Sequence, residues 1–235
     1  MKANLDPIQT QKQKAALEAV KHVKDGYIVG LGSGSTAAFA IEALGERIKH
    51  ENLHIMGVPT SYQAFLLAVE CKIPITTLDE HPVIDITIDG ADQFTPELFL
   101  IKGGGAALAR EKIVASATKL NIIIADEAKK VKLLGENNQF VPVEVLPFAL
   151  PIVKETIIAM GGKPVVREGK GKLGPTITDN GNAIIDAYFG EIVNPAELAV
   201  KVKMIPGVVE TGFFIGLTDI VYIGTNSTVE RFAKS

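Results

Sequence analysis

The amino-acid sequence predicts an α/β fold: a mainly parallel sheet with helices on both faces, plus a smaller α+β domain. Three observations predict it. From residue 15 to residue 126, short apolar runs of strand character alternate with runs of helical spacing, as strands joined by crossover helices do. Two of the apolar runs end in glycines or in an aspartate, at strand carboxyl ends, where such sheets place their ligands. After Asp126 the alternation gives way, and Asn180-Gly181 marks a hairpin.

Taken in order, Ala15 to Val23 has helical spacing, and Tyr27-Ile28-Val29-Gly30-Leu31 is a short apolar strand running into glycines. Thr36 to Ile48 predicts a helix with Phe39, Ala40, Ala43, Leu44 and Ile48 as its apolar positions. Leu53 to Val58 is a second strand, Tyr62 to Glu70 a helix, Ile75 to Leu78 a short strand, and Val83 to Ile88 a strand ending in Asp89. Leu98 to Ile101 is a further strand, Ala106 to Thr118 a helix, and Asn121 to Ala125 a buried strand. Beyond Asp126, Val141 to Val145 and Lys163 to Arg167 read as strands on either side of a helix from Leu150 to Met160. Thr176 to Asp179 and Ala183 to Tyr188 flank the Asn-Gly turn, and Pro195 to Lys203 is a helix with Asn194 as N-cap. The apolar strands from Val208 through Ile223 are expected to rejoin the first sheet. The expected division is residues 1–131 with 209–235 as the main domain and 132–208 as the small one.

Composition narrows the function classes. Of 235 residues, 47% are hydrophobic and 22% charged, as in an ordinary globular protein. A net charge of −3 argues against a broad nucleic-acid-binding face. It leaves room for an anionic small molecule, because a few local donors suffice to hold a phosphate. The lone Cys71 forms no internal disulfide and reads as a small buried hydrophobe. The polar run Met1 to Lys14 lacks the apolar core of a signal peptide, and no uncharged stretch approaches the roughly 20 apolar residues that span a bilayer. A cytoplasmic enzyme without membrane or nucleic-acid partners is the expectation.

Four motifs carry chemistry. Gly30-Leu31-Gly32-Ser33-Gly34-Ser35-Thr36 lies between a strand and a helix. Its glycines let the backbone approach an anion, the helix N-terminus supplies N–H groups, and Ser33, Ser35 and Thr36 add hydroxyls. The same residues also fit a tight turn. Nicotinamide binding is disfavoured, because Val58 is followed by Pro59-Thr60-Ser61 instead of an acidic residue, and the lysine of a nucleotide P-loop is missing. Asp89-Gly90-Ala91-Asp92 closes an apolar strand; two carboxylates so near can divide acid and base roles, or form a turn with a helix cap. In Lys102-Gly103-Gly104-Gly105, three consecutive glycines can aim amides at a developing oxyanion beside a lysine charge. Glu111 then falls in the second helical turn, as a base for the same pocket or as a solvated carboxylate. Lys129, after a buried strand, is a candidate phosphate contact or a surface lysine. His50-Glu51-Asn52-Leu53-His54 matches a zinc-protease pattern that works only within one continuous helix. Here the helix ends before His54, so no metal site is expected.

The first three motifs together resemble ribose-5-phosphate isomerase, type A. Val141-Pro142-Val143-Glu144-Val145, Thr178-Asp179-Asn180-Gly181-Asn182 and Ile205-Pro206-Gly207-Val208-Val209 extend the likeness over nearly the whole chain. The resemblance implies a Rossmann-like catalytic domain and interconversion of D-ribose 5-phosphate and D-ribulose 5-phosphate, a step of the non-oxidative pentose phosphate pathway, without metal or cofactor. It implies Glu111 as catalytic base, with Asp89, Asp92 and Lys102 in the active site. Ser33, Gly34, Ser35, Thr36, Gly90, Ala91, Gly103, Gly104, Gly105 and Lys129 would contact the phosphosugar, and the chain would form a homodimer or homotetramer. Ser33 stands where the family often has Thr, and Gln93 where Glu is frequent, which leaves the role of Gln93 open. A phosphosugar-sensing regulatory domain would keep the phosphate loop but lack the pairing of Lys102 with Glu111. A coenzyme A transferase would use its glutamate to form a thioester.

Overall fold

The computed structural model describes residues 6–169, 171 and 173–234; the first five residues of the polar N-terminal run lie outside these. In chain order the elements are α1 Pro7–Val20, β1 Ile28–Leu31, α2 Gly34–Glu51, β2 Met56–Pro59, α3 Tyr62–Glu70, β3 Ile84–Gly90, β4 Gln93–Phe94, β5 Leu100–Ile101, α4 Leu108–Ser116 and β6 Thr118–Asp126. There follow β7 Val141–Val145, α5 Leu150–Ala159, β8 Lys163–Val166, β9 Ala183–Tyr188, α6 Pro195–Lys203, β10 Val208–Thr211, β11 Phe213–Phe214, β12 Ile220–Gly224 and β13 Val229–Ala233. No helix among the described residues is long and apolar enough to cross a membrane.

The chain divides into two compact units. One comprises Met1–Ala91, Arg110–Lys129 and Leu217–Ser235, the other Asp92–Ala109 and Lys130–Gly216. The first unit contains a six-stranded sheet in the order β13-β12-β6-β3-β1-β2. Neighbours run parallel except β13, which lies antiparallel on β12. The expected α/β class is therefore present. Helices α1, α2 and α3 pack on Val29, Leu31, Ile86, Ile88, Ile122 and Ile124. The other face of β1 and β3 meets α4, where a Cβ on Gly30 would collide with Thr87 and Val114. Helix α1 starts well before its expected first residue. Asp6 caps it by accepting from Gln9 N at 2.8 Å and Pro7 opens its first turn, signals obscured by a polar first half. Its fully buried Ala15, Ala16 and Ala19 let it sit close against the sheet.

In the second unit, β10-β7-β9-β8 form an antiparallel sheet and β11-β5-β4 a smaller one. Val143 and Val145 on β7 pack with Val153, Ile157, Ile185 and Val202. Between them Glu144 is fully buried on the opposite face. Its Oε1 accepts from Thr178 Oγ1 at 2.9 Å, Asn180 Nδ2 at 3.0 Å and Asn182 Nδ2 at 2.8 Å. That carboxylate explains a departure from expectation. Thr176 to Asp179 does not form a strand: Thr178 turns its hydroxyl to Glu144, with Asn180 and Asn182 beyond it, and the segment keeps an isolated bridge from Ile177 to Ala183.

Four further expectations shift. Ile75 to Leu78 reduces to one bridge between Ile75 and Gly57, as Thr76 Oγ1 bonds Glu80 and His81, both at 2.8 Å. Of Val208 to Ile223, only β12 rejoins the first sheet. β10 pairs with β7 and β11 with β5, with Gly212 between them bonded to Lys102 N and Pro142 O. The three-stranded sheet also places residues 92–109 and 209–216 in the second unit, a different border from the expected one. The half-exposed edge strand β13, with Glu230 and Arg231, was not anticipated.

At Gly224 an added Cβ would strike the main-chain carbonyl of Gln11 in α1, which has no rotamer to change. Gly224→Ala should therefore destabilise by about 1–3 kcal/mol, a fall in Tm of several degrees by thermal denaturation. An unchanged Tm would contradict this packing.

Candidate active site

In the first unit the parallel register brings strand ends to one edge: Leu31 stands beside Ile88, Gly90 beside Ile124, and Gly224 beside Asp126. The residues after β1 and at the end of β3 interlock there. Asp89, 2% exposed, accepts from Ser33 N at 3.0 Å and Gly90 N at 2.7 Å, both at Oδ1. Gly32 makes this approach possible, since a Cβ there would overlap Asp89. Ser33 precedes α2 in extended conformation but does not cap it with its side chain. Its hydroxyl bonds Thr60 Oγ1 at 2.7 Å and Ser61 Oγ at 2.6 Å, while Gly34 N donates to Gln63 Oε1 at 2.8 Å. Ser35 and Thr36 follow in the first turn of α2, Ser35 exposed and Thr36 half-buried, with Thr36 against Gly90.

Lys129 and Lys12 add positive charge at this edge. Lys129 ends a short 3-10 turn, Glu127–Lys129, directly after β6 and is half-buried. Lys12, which sequence reasoning missed, donates to Ser35 Oγ at 3.0 Å. Its only sequence signal was a lysine in the polar half of α1. Buried Gln11 helps fix that helix end, donating to Glu127 Oε1 at 2.5 Å and Asn226 Oδ1 at 3.0 Å.

Glu111 is 5% exposed and lies in the first turn of α4, not the second. The helix starts two residues later than expected because residues 103–106 form a turn, with Ala106 N on Gly103 O at 3.0 Å and positive φ at both Gly103 and Ala106. Helix α4 leads into β6, which lies beside β3, so it runs back against the strands and its N-terminal turn lies at their carboxyl edge. Glu111 thus comes to the edge that holds Asp89 and the residues 33–36.

The second unit holds the remaining candidates. Lys102 is 3% exposed, its Nζ 5.3 Å from the Phe214 ring centroid, in cation–π range. Asp92 accepts from Gly104 N at 2.8 Å, so one of the three glycine amides is held by a carboxylate. Gly103 (φ +107°) has little room for a Cβ beside Leu108 and Pro142, and a Cβ on Gly104 would press on Asp92. Gly105 is exposed, with no atom within 4 Å of where a Cβ would stand. Ala91, the last residue of the first unit before Asp92, is half-buried.

Other residues singled out above serve the fold. Gln93, buried, donates to Glu136 O at 2.8 Å and accepts from Gly135 N at 2.9 Å. Burial pushes the Cys71 thiol pKa up, helped by Glu42, Glu70 and Glu46, which disfavours a thiolate nucleophile. Left-handed Asn52 ends α2; His50 then faces Glu46 and His54 faces Asp25, each at 3.1 Å. The imidazoles of the zinc-like pattern therefore serve different partners.

Comparison with known proteins places these features in context. The profile described as ribose 5-phosphate isomerase A (phosphoriboisomerase A) matches residues 56–228. The chain is 49% identical to the ribose-5-phosphate isomerase A of Natronomonas pharaonis, over 94% of this chain and 96% of that protein. It is 49% identical to that of Methanothermobacter thermautotrophicus, over 92% and 94%. The solved ribose 5-phosphate isomerase A of Methanocaldococcus jannaschii superposes with TM-score 0.91 at 48% identity, covering 95% of this chain and 98% of that one. A D-ribose-5-phosphate isomerase in complex with phospho-erythronic acid gives 0.94 at 44% identity, covering 97% and 99%.

The two bonds of Gln93 need one donor and one acceptor. Gln93→Glu would set a carboxylate against the Glu136 carbonyl. It should cost about 1–3 kcal/mol, read as a lower denaturation midpoint at neutral pH; an unchanged midpoint would show that the loop at residues 135–136 does not depend on this side chain.

Proposed function

The chain belongs to the ribose 5-phosphate isomerase A family, and on that premise we propose that it interconverts D-ribose 5-phosphate and D-ribulose 5-phosphate through a cis-enediolate. The observation that carries this reading is the buried Glu111 in the first turn of α4, at the strand edge where Asp89 holds the loop at residues 33–36. A phosphosugar needs both a dry base and an anion cradle, and this edge supplies them.

The roles follow from the chemistry. Residues 34–36 open α2, and the first-turn amides with the Ser35 and Thr36 hydroxyls receive the phosphate. Lys12 and Lys129 add positive charge, and Ser33 holds the loop through Thr60 and Ser61. Asp89 takes the proton from the ring-form hydroxyl on C1, the bond from C1 to the ring oxygen breaks as the carbonyl forms, and the proton passes to the ring oxygen; Gly90 and Ala91 line the substrate beside it. Glu111 removes the C2 hydrogen as a proton, and the C1 carbonyl oxygen takes the negative charge. Return of that proton to C1, with the C2 hydroxyl proton passing to the C1 oxygen, gives the ketose. Lys102 and the amides of Gly103 and Gly105 stabilise the charged oxygen, while Asp92 holds Gly104 in place. Phospho-erythronic acid, bound by a relative, carries a phosphate and a carboxylate on one polyol chain, the same two charges. Every step uses side chains and backbone amides alone.

The enzyme works in the cytoplasm as a homodimer or homotetramer in this reading. Association would cover apolar surface such as Phe148, 97% exposed, together with Ile152 and Met204.

Metal-free protein incubated with ribose 5-phosphate should yield ketose; absence of product would refute the reading. Glu111→Gln should lose about 10²–10⁴ in kcat while still binding a phosphosugar, and wild-type turnover would remove Glu111 as the base. Lys129→Ala should raise KM with little change in kcat; a pure loss of kcat would contradict a phosphate-holding role.

A further inference from the structure

We infer that Arg167 is a positioning residue for the Gly105 amide, one of the proposed oxyanion donors of the Gly103–Gly105 turn; this rests on the isomerase reading above. Arg167 directly follows β8, and its N–H continues the pairing by donating to Ile184 O at 2.8 Å. Its side chain is 14% exposed, and the guanidinium forms a forked pair with Asp186 on β9, from Nε to Oδ2 at 2.9 Å and from Nη2 to Oδ1 at 2.5 Å. The Phe140 ring lies 5.9 Å away. The remaining nitrogen, Nη1, donates to two main-chain carbonyls, Gly103 O and Gly104 O, both at 2.9 Å.

Those two carbonyls belong to the peptide units that carry the Gly104 and Gly105 N–H groups. The described peptide bonds are all trans, and in a planar trans peptide the C=O and N–H point opposite ways. Holding both oxygens against Arg167 therefore turns both N–H groups away from it. The Gly104 N–H meets Asp92 Oδ2, and the Gly105 N–H is fixed in direction at an exposed position with open space where a Cβ would stand. The guanidinium, though paired with Asp186, also polarises each peptide through its carbonyl oxygen, making the N–H a stronger donor. Without that clamp, three adjacent glycines sample many backbone conformations, and an amide that must reorganise as charge develops stabilises it poorly. Asp186 sets the guanidinium plane, and only a planar fork satisfies a carboxylate and two carbonyls at once.

The test compares wild type, Arg167→Met and Arg167→Lys in ribose 5-phosphate turnover, in binding of phospho-erythronic acid and of inorganic phosphate, and in thermal denaturation. Assays run well below the lowest Tm. The expected result is a kcat lower by about 10- to 100-fold in Arg167→Met, with KM nearly unchanged. Its affinity for phospho-erythronic acid should fall while that for phosphate stays the same. Arg167→Lys should recover only part of kcat, because a point charge cannot hold the fork. Wild-type kcat in either folded variant, or equal weakening of both ligands, would overturn the role. If Arg167→Met fails to fold, Arg167→Lys decides alone. Absence of wild-type turnover would instead refute the isomerase reading, leaving the ligand comparison to judge the clamp.

Discussion

Asp89 Oδ1 accepts two backbone N–H groups at once, from Ser33 and from Gly90, while almost wholly removed from water. A buried carboxylate is costly unless its oxygens are satisfied, and hydrogen bonds to a charged group contribute about 1.5–3 kcal/mol each. This one oxygen therefore joins the end of β3 to the loop after β1. Gly32 is the residue that permits it, because any side chain there would occupy the space Asp89 fills. The loop that enters α2 takes its place from that contact, and Thr60, Ser61 and Gln63 secure it from α3 and the residues before it.

The same device recurs three residues later. Asp92 accepts an amide of the second glycine run, and Gly104 is again the residue whose missing side chain leaves room. Each glycine-rich segment is thus held by an aspartate through a main-chain N–H. Glu144 extends the pattern to the hairpin at residues 178–182, where one buried carboxylate gathers three side-chain donors. Acidic residues organise these three loops, and Lys12 and Arg167 add donors to the same segments, Lys12 at the Ser35 hydroxyl and Arg167 at the carbonyls of the glycine turn. A net negative protein can in this way present locally positive, donor-rich backbone.

Periodicity made the parallel sheet legible, because β1, β3 and β6 are apolar runs closed by glycine or aspartate. Helix α3 and strand β7 fall where the spacing places them. What periodicity missed has physical causes. Helix α1 has a polar first half, so its start depends on the Asp6 cap and not on an apolar face. Strand β13 is a half-exposed edge with charged residues, which reads as loop. Thr176 to Asp179 has strand-like composition, but its Thr178 hydroxyl is drawn to Glu144, a partner more than thirty residues away in sequence. At the site, residue types were legible and partners were not. The Ser33 hydroxyl looked like a ligand donor and is bonded to Thr60 and Ser61. The Gly104 amide looked available and is held by Asp92. Lys12 had no motif to mark it. Such assignments need long-range geometry that spacing along the chain does not carry.

Asp89 is both the anchor of the loop at residues 33–36 and the proposed acceptor of the ring-hydroxyl proton, and two substitutions separate these roles. Asn retains an Oδ1 acceptor for Ser33 and Gly90, whereas Ala removes it. The direct measurement is the affinity of Asp89→Asn and Asp89→Ala for phospho-erythronic acid by titration calorimetry, with folding verified by circular dichroism. The account predicts affinity close to wild type for Asp89→Asn and a loss of at least about tenfold for folded Asp89→Ala, the size expected for one charged hydrogen bond of roughly 1.5–3 kcal/mol. Wild-type affinity in folded Asp89→Ala would show that the anion-binding loop keeps its shape without this carboxylate, and the central constraint would fall.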